Sequence, residues 1–315
     1  METRLLLAIV AFVLIIVILV FILSCRNQGL AVVKKEKCDP VYLYEGNPRL
    51  TSNCSCDGFT QFVAGLDNLA NDSQGGFAEG AHLTFDPASD TIYVGTGAPN
   101  QAGNQYIFPI DVSGPPPYSA GPNLIPTGYL TFSEQILGFV WHPQDQLFYS
   151  SERLTGNIYS HDINWQNGTL IGTFAFEIRG FAIDPDTGHL YACDPQSETV
   201  WLIDRTDASI INTWQTTYNG LPPRRIGAMT TNFSTGEIWA SWLPNGGSGG
   251  DPRFFGTFNP ETGELAESSC SNGSVIAVAG MTFDNEERLW YVTGLQGEPP
   301  YSLNVFQQSP CSQTF

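Results

Sequence analysis

"GFAIDPDTGHLYACDPQSETVWLID", residues 180–204, decides the fold of this chain. A glycine opens a short apolar run, a turn of Asp184, Pro185, Asp186, Thr187 and Gly188 interrupts it, and a second run around Leu190 and Tyr191 follows. Two such runs joined by a Pro- and Gly-containing turn predict a β-hairpin, because proline presets φ and glycine accepts positive φ. Leu190 and Tyr191 then fall on opposite faces of the second strand. The acids of the turn read as turn holders rather than as a catalytic pair.

The same form returns four times: "GAHLTFDPASDTIYVGTG" from Gly80, "GFVWHPQDQLFYSSE" from Gly138, "GAMTTNFSTGEIWASW" from Gly227 and "GMTFDNEERLWYVTG" from Gly280. Successive openings lie 42–58 residues apart. Units of about 40–50 residues carrying several short strands predict propeller blades. Further strands are expected at 105–112 and 127–132, 156–163 and 170–176, 199–204 and 210–216, and 253–260 and 264–270. The last unit ends one strand short. "FTQFVAG" (59–65) precedes the first hairpin as an outer strand precedes every other, so it is expected to close the ring on the last blade and hide an open edge. The expected fold is all-β: a single propeller of five four-stranded blades, or six if residues 38–56 contain strands. Cys193 stands where the sister units have Val94, Ser150, Ala240 and Val292, and a buried free thiol is its simplest account.

Composition agrees. Charged residues make up only 14 % of the 315, while Gly (32) and Pro (21) are frequent, which favours short strands and turns over long surface helices. A net charge of -18 with 13 basic residues excludes nucleic acid and anionic membrane surfaces as electrostatic partners.

Residues 180–204 resemble the superfamily of propellers with NHL-, YVTN- or gluconolactonase/strictosidine-synthase-like repeats. The other units match more weakly, and the resemblance spans about residues 57–310. It implies the fold more than an activity. Lactonase-type relatives hold a divalent metal on the axis through a Glu, an Asn and an Asp from different blades. Glu79 matches the Glu, with calcium as the implied cofactor. The corresponding places of the other blades hold Gln135, Arg179, Arg225 and Val278. Outside that alternative no cofactor is expected.

Glu79, Glu134, Glu177, Arg179, Arg224 and Arg225 all precede inner strands and are expected to ring one mouth of the channel. Mixed acids and arginines there suit a small polar or anionic ligand, with mutual ion pairing as the plainer alternative. The long connections 97–105, 242–253 and 294–302 are expected at the same mouth, with Trp242, Arg253 and Tyr301 as contact side chains. His82 falls in an inner strand, His142 and His189 in hairpin turns and His161 after a third strand, at repeat positions without ligand spacing. "PPPY" (115–118) resembles a WW-domain ligand, which a lumenal location would make accidental.

Leu5–Leu23 carries no charge and is long enough to span a bilayer. The expected organisation is a tail at 1–4, a signal anchor at 5–24, a stalk at 25–56 and the propeller at 57–315. A bacterial lipobox ending at Cys25 is the competing reading of "ILSC", and a cleaved signal peptide another. Arg26, Lys34, Lys35 and Lys37 after the span argue for a cytosolic propeller. Sequons at Asn53, Asn71, Asn167, Asn232 and Asn272, with Cys38, Cys54, Cys56, Cys270 and Cys311 as disulfide candidates, argue for an extracellular or lumenal one, which is preferred. The sequence thus reads as a membrane-anchored binding or protein-interaction module taking a protein or glycan ligand through its loop-rich face. The alternatives are a metal-dependent propeller hydrolase and a glycosylated structural surface protein.

Overall fold

The structure is a computed structural model that describes residues 56–61, 63–64, 82–95, 107–115, 118–122, 124, 136–152, 155–194, 198–223, 225–243, 254–268, 278–293 and 303–308. Every regular element among them is a strand. The chain enters through β1 (Cys56–Gln61) and β2 (Val63–Ala64). The first hairpin unit then forms β3 (His82–Asp86), β4 (Thr91–Gly95) and β5 (Ile107–Asp111), followed by β6 (Tyr118–Ser119). The second forms β7 (Ile136–His142), β8 (Leu147–Glu152), β9 (Asn157–His161) and β10 (Thr169–Thr173). The opening stretch makes β11 (Gly180–Ile183), β12 (Leu190–Asp194), β13 (Thr199–Ile203) and β14 (Ile210–Gln215). The fourth unit makes β15 (Arg225–Asn232), β16 (Glu237–Leu243), β17 (Phe254–Phe258) and β18 (Leu265–Glu267), and the last makes β19 (Val278–Phe283), β20 (Arg288–Thr293) and β21 (Leu303–Gln308).

These strands build an all-β propeller with four four-stranded sheets and one three-stranded sheet, β3–β4–β5. The last sheet takes its fourth strand from the start of the domain: β1 pairs antiparallel with β21, Phe59 opposite Val305. The closing strand therefore runs from Cys56, which places Cys56 in the sheet and not in the stalk. Val63–Ala64, expected in the same strand, pairs in parallel with β6 instead. In the first unit, described residues between Tyr118 and Leu124 bridge to β5, and the expected strand at 127–132 lies outside the described residues. Leu124 exchanges backbone hydrogen bonds with Ile107 (2.7 and 3.0 Å), and Gly121 N donates to Pro109 O at 2.7 Å. Prolines lack the donor for a regular ladder, so only isolated bridges form there. Tyr118 of the "PPPY" stretch is buried edge-on against Trp290, with ring centroids 5.6 Å apart, so it is a core residue.

The inner strands lie side by side in the order β3, β7, β11, β15, β19 and back to β3. Side chains alternate between neighbours. Phe139 and Trp141 pack toward the preceding sheet and Val140 toward the following one. Leu190 and Tyr191 likewise enter different interfaces. Polar clips join the strands where apolar contact stops. Thr231 Oγ1 donates to Ile183 O at 2.6 Å and accepts from Ile183 N at 2.8 Å, and Thr84 Oγ1 accepts from Trp141 N at 2.8 Å. Each such bond adds about 1 kcal/mol net, and leaving its partner bare would cost more.

The turns behave as their residues demand. Gly188 has φ +73°, its N–H reaches Asp184 O at 2.8 Å, and Asp184 Oδ1 accepts from Asp186 N at 3.0 Å. Across the ring's turn end, His142 Nδ1 accepts from Asp145 N at 3.2 Å, which directs its Nε2–H to Gly188 O at 2.9 Å in the next sheet. Burial holds the His142 pKa below its usual range, so the ring is a neutral clip.

Candidate functional site

The end of the ring opposite these turns is where the inner strands start. Three of them, β7, β15 and β19, break register at the same point, between Ile136 and Gly138, Ile226 and Ala228, and Val278 and Gly280. A bulge bends its strand and re-aims a residue, and barrel and propeller rims use it for that purpose. The residues at the bulge are Leu137, Gly227 and Ala279, and in the third sheet the equivalent place belongs to Arg179, whose N–H donates to Cys193 O at 2.9 Å just before Gly180 pairs with Cys193. Arg179 is the charged member of this described set.

The next register place is built for absence of a side chain. A Cβ on Gly138 would stand 2.6 Å from Arg179 O, and one on Gly180 would stand 2.8 Å from Met229 N. Ala228 and Gly280 hold the same place in β15 and β19, opposite Ser241 and Val292. In the first sheet this place is occupied by His82, opposite Gly95, not by Gly80 as the sequence alignment had it. The imidazole meets the edge of the Phe139 ring at 6.0 Å, and a Cβ on Gly95 would overlap that ring. His82 is 5 % exposed, and its Nε2 has no hydrogen-bond partner. Burial and, secondarily, the Arg179 guanidinium push its pKa down to about 3, so it is neutral at physiological pH.

Arg179 is 9 % exposed. It acts on Cys193 as well as on His82. Burial raises the Cys193 thiol to about 12, against the backbone of Gly180; Asp194 pushes it further up and Arg179 pulls it down. The thiol is free and buried, as its sequence suggested. Its counterparts by register are Gly95, Ser151, Ser241 and Val292, one residue later than the sequence alignment placed three of them. Ser151 Oγ donates to Ile178 O at 2.6 Å and Ser241 Oγ to Val278 O at 3.4 Å, so in the second and fourth sheets this place staples one sheet to the next. The following residue is a buried acid in two sheets, Asp194 and Glu152. Glu152 Oε2 accepts from Thr155 Oγ1 and Asn157 Nδ2 at 3.0 Å and from Tyr159 OH at 3.2 Å, which makes it a satisfied structural carboxylate.

The expected site residues separate accordingly. Arg179 sits at the mouth beside His82; Glu177 and Arg225 are half-buried where their inner strands begin. Trp242 is no loop contact: it belongs to β16, is 0 % exposed and lies in the apolar cluster between the third and fourth sheets, because the strand continues to Leu243. Glu79, Arg253 and Tyr301 lie outside the described residues, as do the anchor, Cys38, Cys54, Cys270, Cys311, Asn53, Asn71 and Asn272. No helix among the described residues is long and apolar enough to cross a membrane. His82 was the residue sequence reasoning passed over, and the available signal was its place in a column of small residues.

Chemically, a guanidinium can give planar, bidentate donors to a carboxylate or similar anion, and Arg179 already has partners within the protein. His82 offers a neutral nitrogen able to exchange one hydrogen bond. Asp194 and Glu152 limit the negative charge that the same end can accept.

No family model matches the sequence, and no curated protein matches it. Among solved structures the chain is similar to a glutaminyl cyclase of Myxococcus xanthus (TM-score 0.50, 14 % identity, covering 80 % of this chain and 95 % of that one). It also resembles a luciferin-regenerating enzyme (TM-score 0.46, 12 % identity, 74 % and 92 % covered) and a chain of a nidogen/laminin complex (0.45, 12 %, 68 % and 71 %). At such identities what is shared with the cyclase is the propeller fold.

Proposed function

We propose that this chain is a membrane-anchored, five-bladed propeller whose domain lies outside the cytosol and binds a small anionic ligand at the end of the ring marked by Arg179. The observation that carries it is Arg179 itself: a nine-tenths buried guanidinium at the bulge register where β7, β15 and β19 place Leu137, Gly227 and Ala279. The blade count is supported by five apolar interfaces, one between each successive pair of sheets and the last between β20 and the β3–β4 hairpin. Membership among propellers with NHL- or gluconolactonase-like repeats is supported by the repeated hairpin register. A calcium-dependent hydrolase would need Glu79 and further oxygen ligands, and Glu79 lies outside the described residues.

Calorimetric titration with small carboxylates and phosphate tests the reading. At least one anion should bind, and Arg179→Gln should weaken it by tenfold or more, since charge-assisted bonds contribute about 1.5–3 kcal/mol. Binding that is unchanged in Arg179→Gln, or no binding by the whole panel, overturns it.

The topology has its own measurement. Asn167 is exposed at φ +57°, and its Nδ2 donates to Asp162 Oδ2 at 2.9 Å, a bond that one remaining N–H of a glycosylated amide can keep. Asn232 is 5 % exposed and its Oδ1 accepts from Ser234 N at 3.0 Å inside a hairpin turn. Peptide mapping of material secreted from eukaryotic cells should find glycan at Asn167 and an unmodified Asn232. An unmodified Asn167 in such material would remove the glycoprotein expectation for the described domain.

A further inference from the structure

β14 is the outermost strand of the third sheet, and its far side faces no other strand among the described residues. Thr216 N donates inward to Glu198 O at 3.2 Å. Antiparallel pairing alternates, so the backbone groups of Thr213 point away from β13. The outward N–H of Thr213 takes its acceptor from the neighbouring Asn212 side chain, with Oδ1 at 2.8 Å, where a further strand would offer a carbonyl. Edges of this kind are ordinarily blunted by shortness, charge, proline or a covering segment. β18, the corresponding strand of the fourth sheet, has three residues, carries Glu267 and is covered by Thr217, whose N–H donates to Gly263 O at 3.1 Å and whose carbonyl accepts from Leu265 N at 2.7 Å. β10 is covered in part, since a Cβ on Gly172 would stand 2.6 Å from that of Ala208. β14 has six residues without a charge or a proline, and it opens with Ile210 and Ile211, 50 % and 48 % exposed.

Acids bracket this strand. Asp204 and Asp207 stand in the turn before Ile210, and past its other end Glu264 flanks Thr217 while Glu267 accepts from Tyr218 OH at 2.6 Å. We propose that β14 takes an extended, basic segment of another protein as an added strand. The main chain of that segment pairs along the Thr213 edge, β-branched or aromatic side chains lie beside Ile210 and Ile211, and Lys or Arg at its ends face the acids. Charge selects this partner over a second copy of the chain. Antiparallel self-pairing of β14 would set the Asp207 end of one copy against the Glu264 end of the other, in a protein whose net charge is already -18. The edge lies on the outside of the ring, and its use does not depend on anion binding at Arg179.

Peptides test the edge. Fluorescence polarisation of a labelled, end-capped KVTVTVK probe is followed on the full chain in mild detergent at low salt. The probe should bind saturably, and EVTVTVE should bind at least about tenfold more weakly. KVTVTVK methylated on every interior amide nitrogen should also lose about tenfold, because strand addition rests on main-chain hydrogen bonds. Ile211→Lys should weaken the KVTVTVK complex by about tenfold. Leu170→Lys, the same charge change on β10, should leave it as it is. Both replaced residues are exposed, so the fold is kept. No saturable binding of KVTVTVK overturns the inference. Binding that survives amide methylation or Ile211→Lys overturns it too, since the attraction would then be general charge alone. Sedimentation showing a wild-type dimer that Ile211→Lys dissolves would give the edge to a second copy and overturn it as well.

Discussion

Trp165→Ala should lower the stability of the folded domain by about 3–5 kcal/mol, the range for deleting a buried tryptophan. Trp165 is 0 % exposed although it sits in the connection between β9 and β10. Asp162 folds that connection under the sheet: its Oδ1 accepts from Asn164 N and Gln166 N at 2.9 Å, and its backbone carbonyl accepts from Trp165 N at 2.8 Å. Trp165 is forced to φ +60°, a conformation that costs on the order of 1 kcal/mol and persists only because the ring is gripped. The indole stacks on Phe148 at 4.4 Å, meets the edge of Phe139 at 5.1 Å and lies 5.3 Å from His161. Removing it empties the centre of the interface between the first two sheets. Urea unfolding followed by fluorescence reads the change. A loss below about 1 kcal/mol would show that this interface does not depend on the ring.

The second large effect is a pH dependence. The unfolded chain takes up a proton on His82 near pH 6.5, whereas the folded chain refuses it until about pH 3. Stability is therefore lost as pH falls below 6.5, at about 1.4 kcal/mol per unit, and the loss levels off only near pH 3. Between pH 6.5 and 4.5 the ligand-free protein should lose about 2 kcal/mol through this group alone. His82→Gln cannot titrate, so its curve should be flatter than the wild-type curve by that amount over the same window. Acid loss from His142, whose pKa is also lowered by burial, is common to both proteins and cancels. Parallel curves would mean that His82 is hydrated in solution and is not the buried neutral base described above.

Much of this protein was legible before any coordinates. The Gly–apolar–turn–apolar form around 180–194, its four copies and the missing last strand determined an all-β propeller closed by its N-terminal end, because period-2 alternation and turn chemistry act over neighbouring residues. The buried Cys193 and the opposite-facing pair Leu190 and Tyr191 followed from the same local rule. Details one residue finer did not. The closing strand begins at Cys56, and Trp242 extends β16 into the core, because pairing partners and burial set where a strand ends.

The site was the part that only tertiary structure decided. Arg179 was visible as a charge before an inner strand, yet its role at a bulge depends on pairing with Cys193. His82 looked like an ordinary inner-strand histidine until the register placed it in the column of Gly138 and Gly180. Trp165 falls between the expected strands 156–163 and 170–176, and the turn held by Asp162 brings it into the core. Each depends on which backbone comes within a few ångströms of it from another sheet, and contact across the ring leaves no periodic trace in the chain.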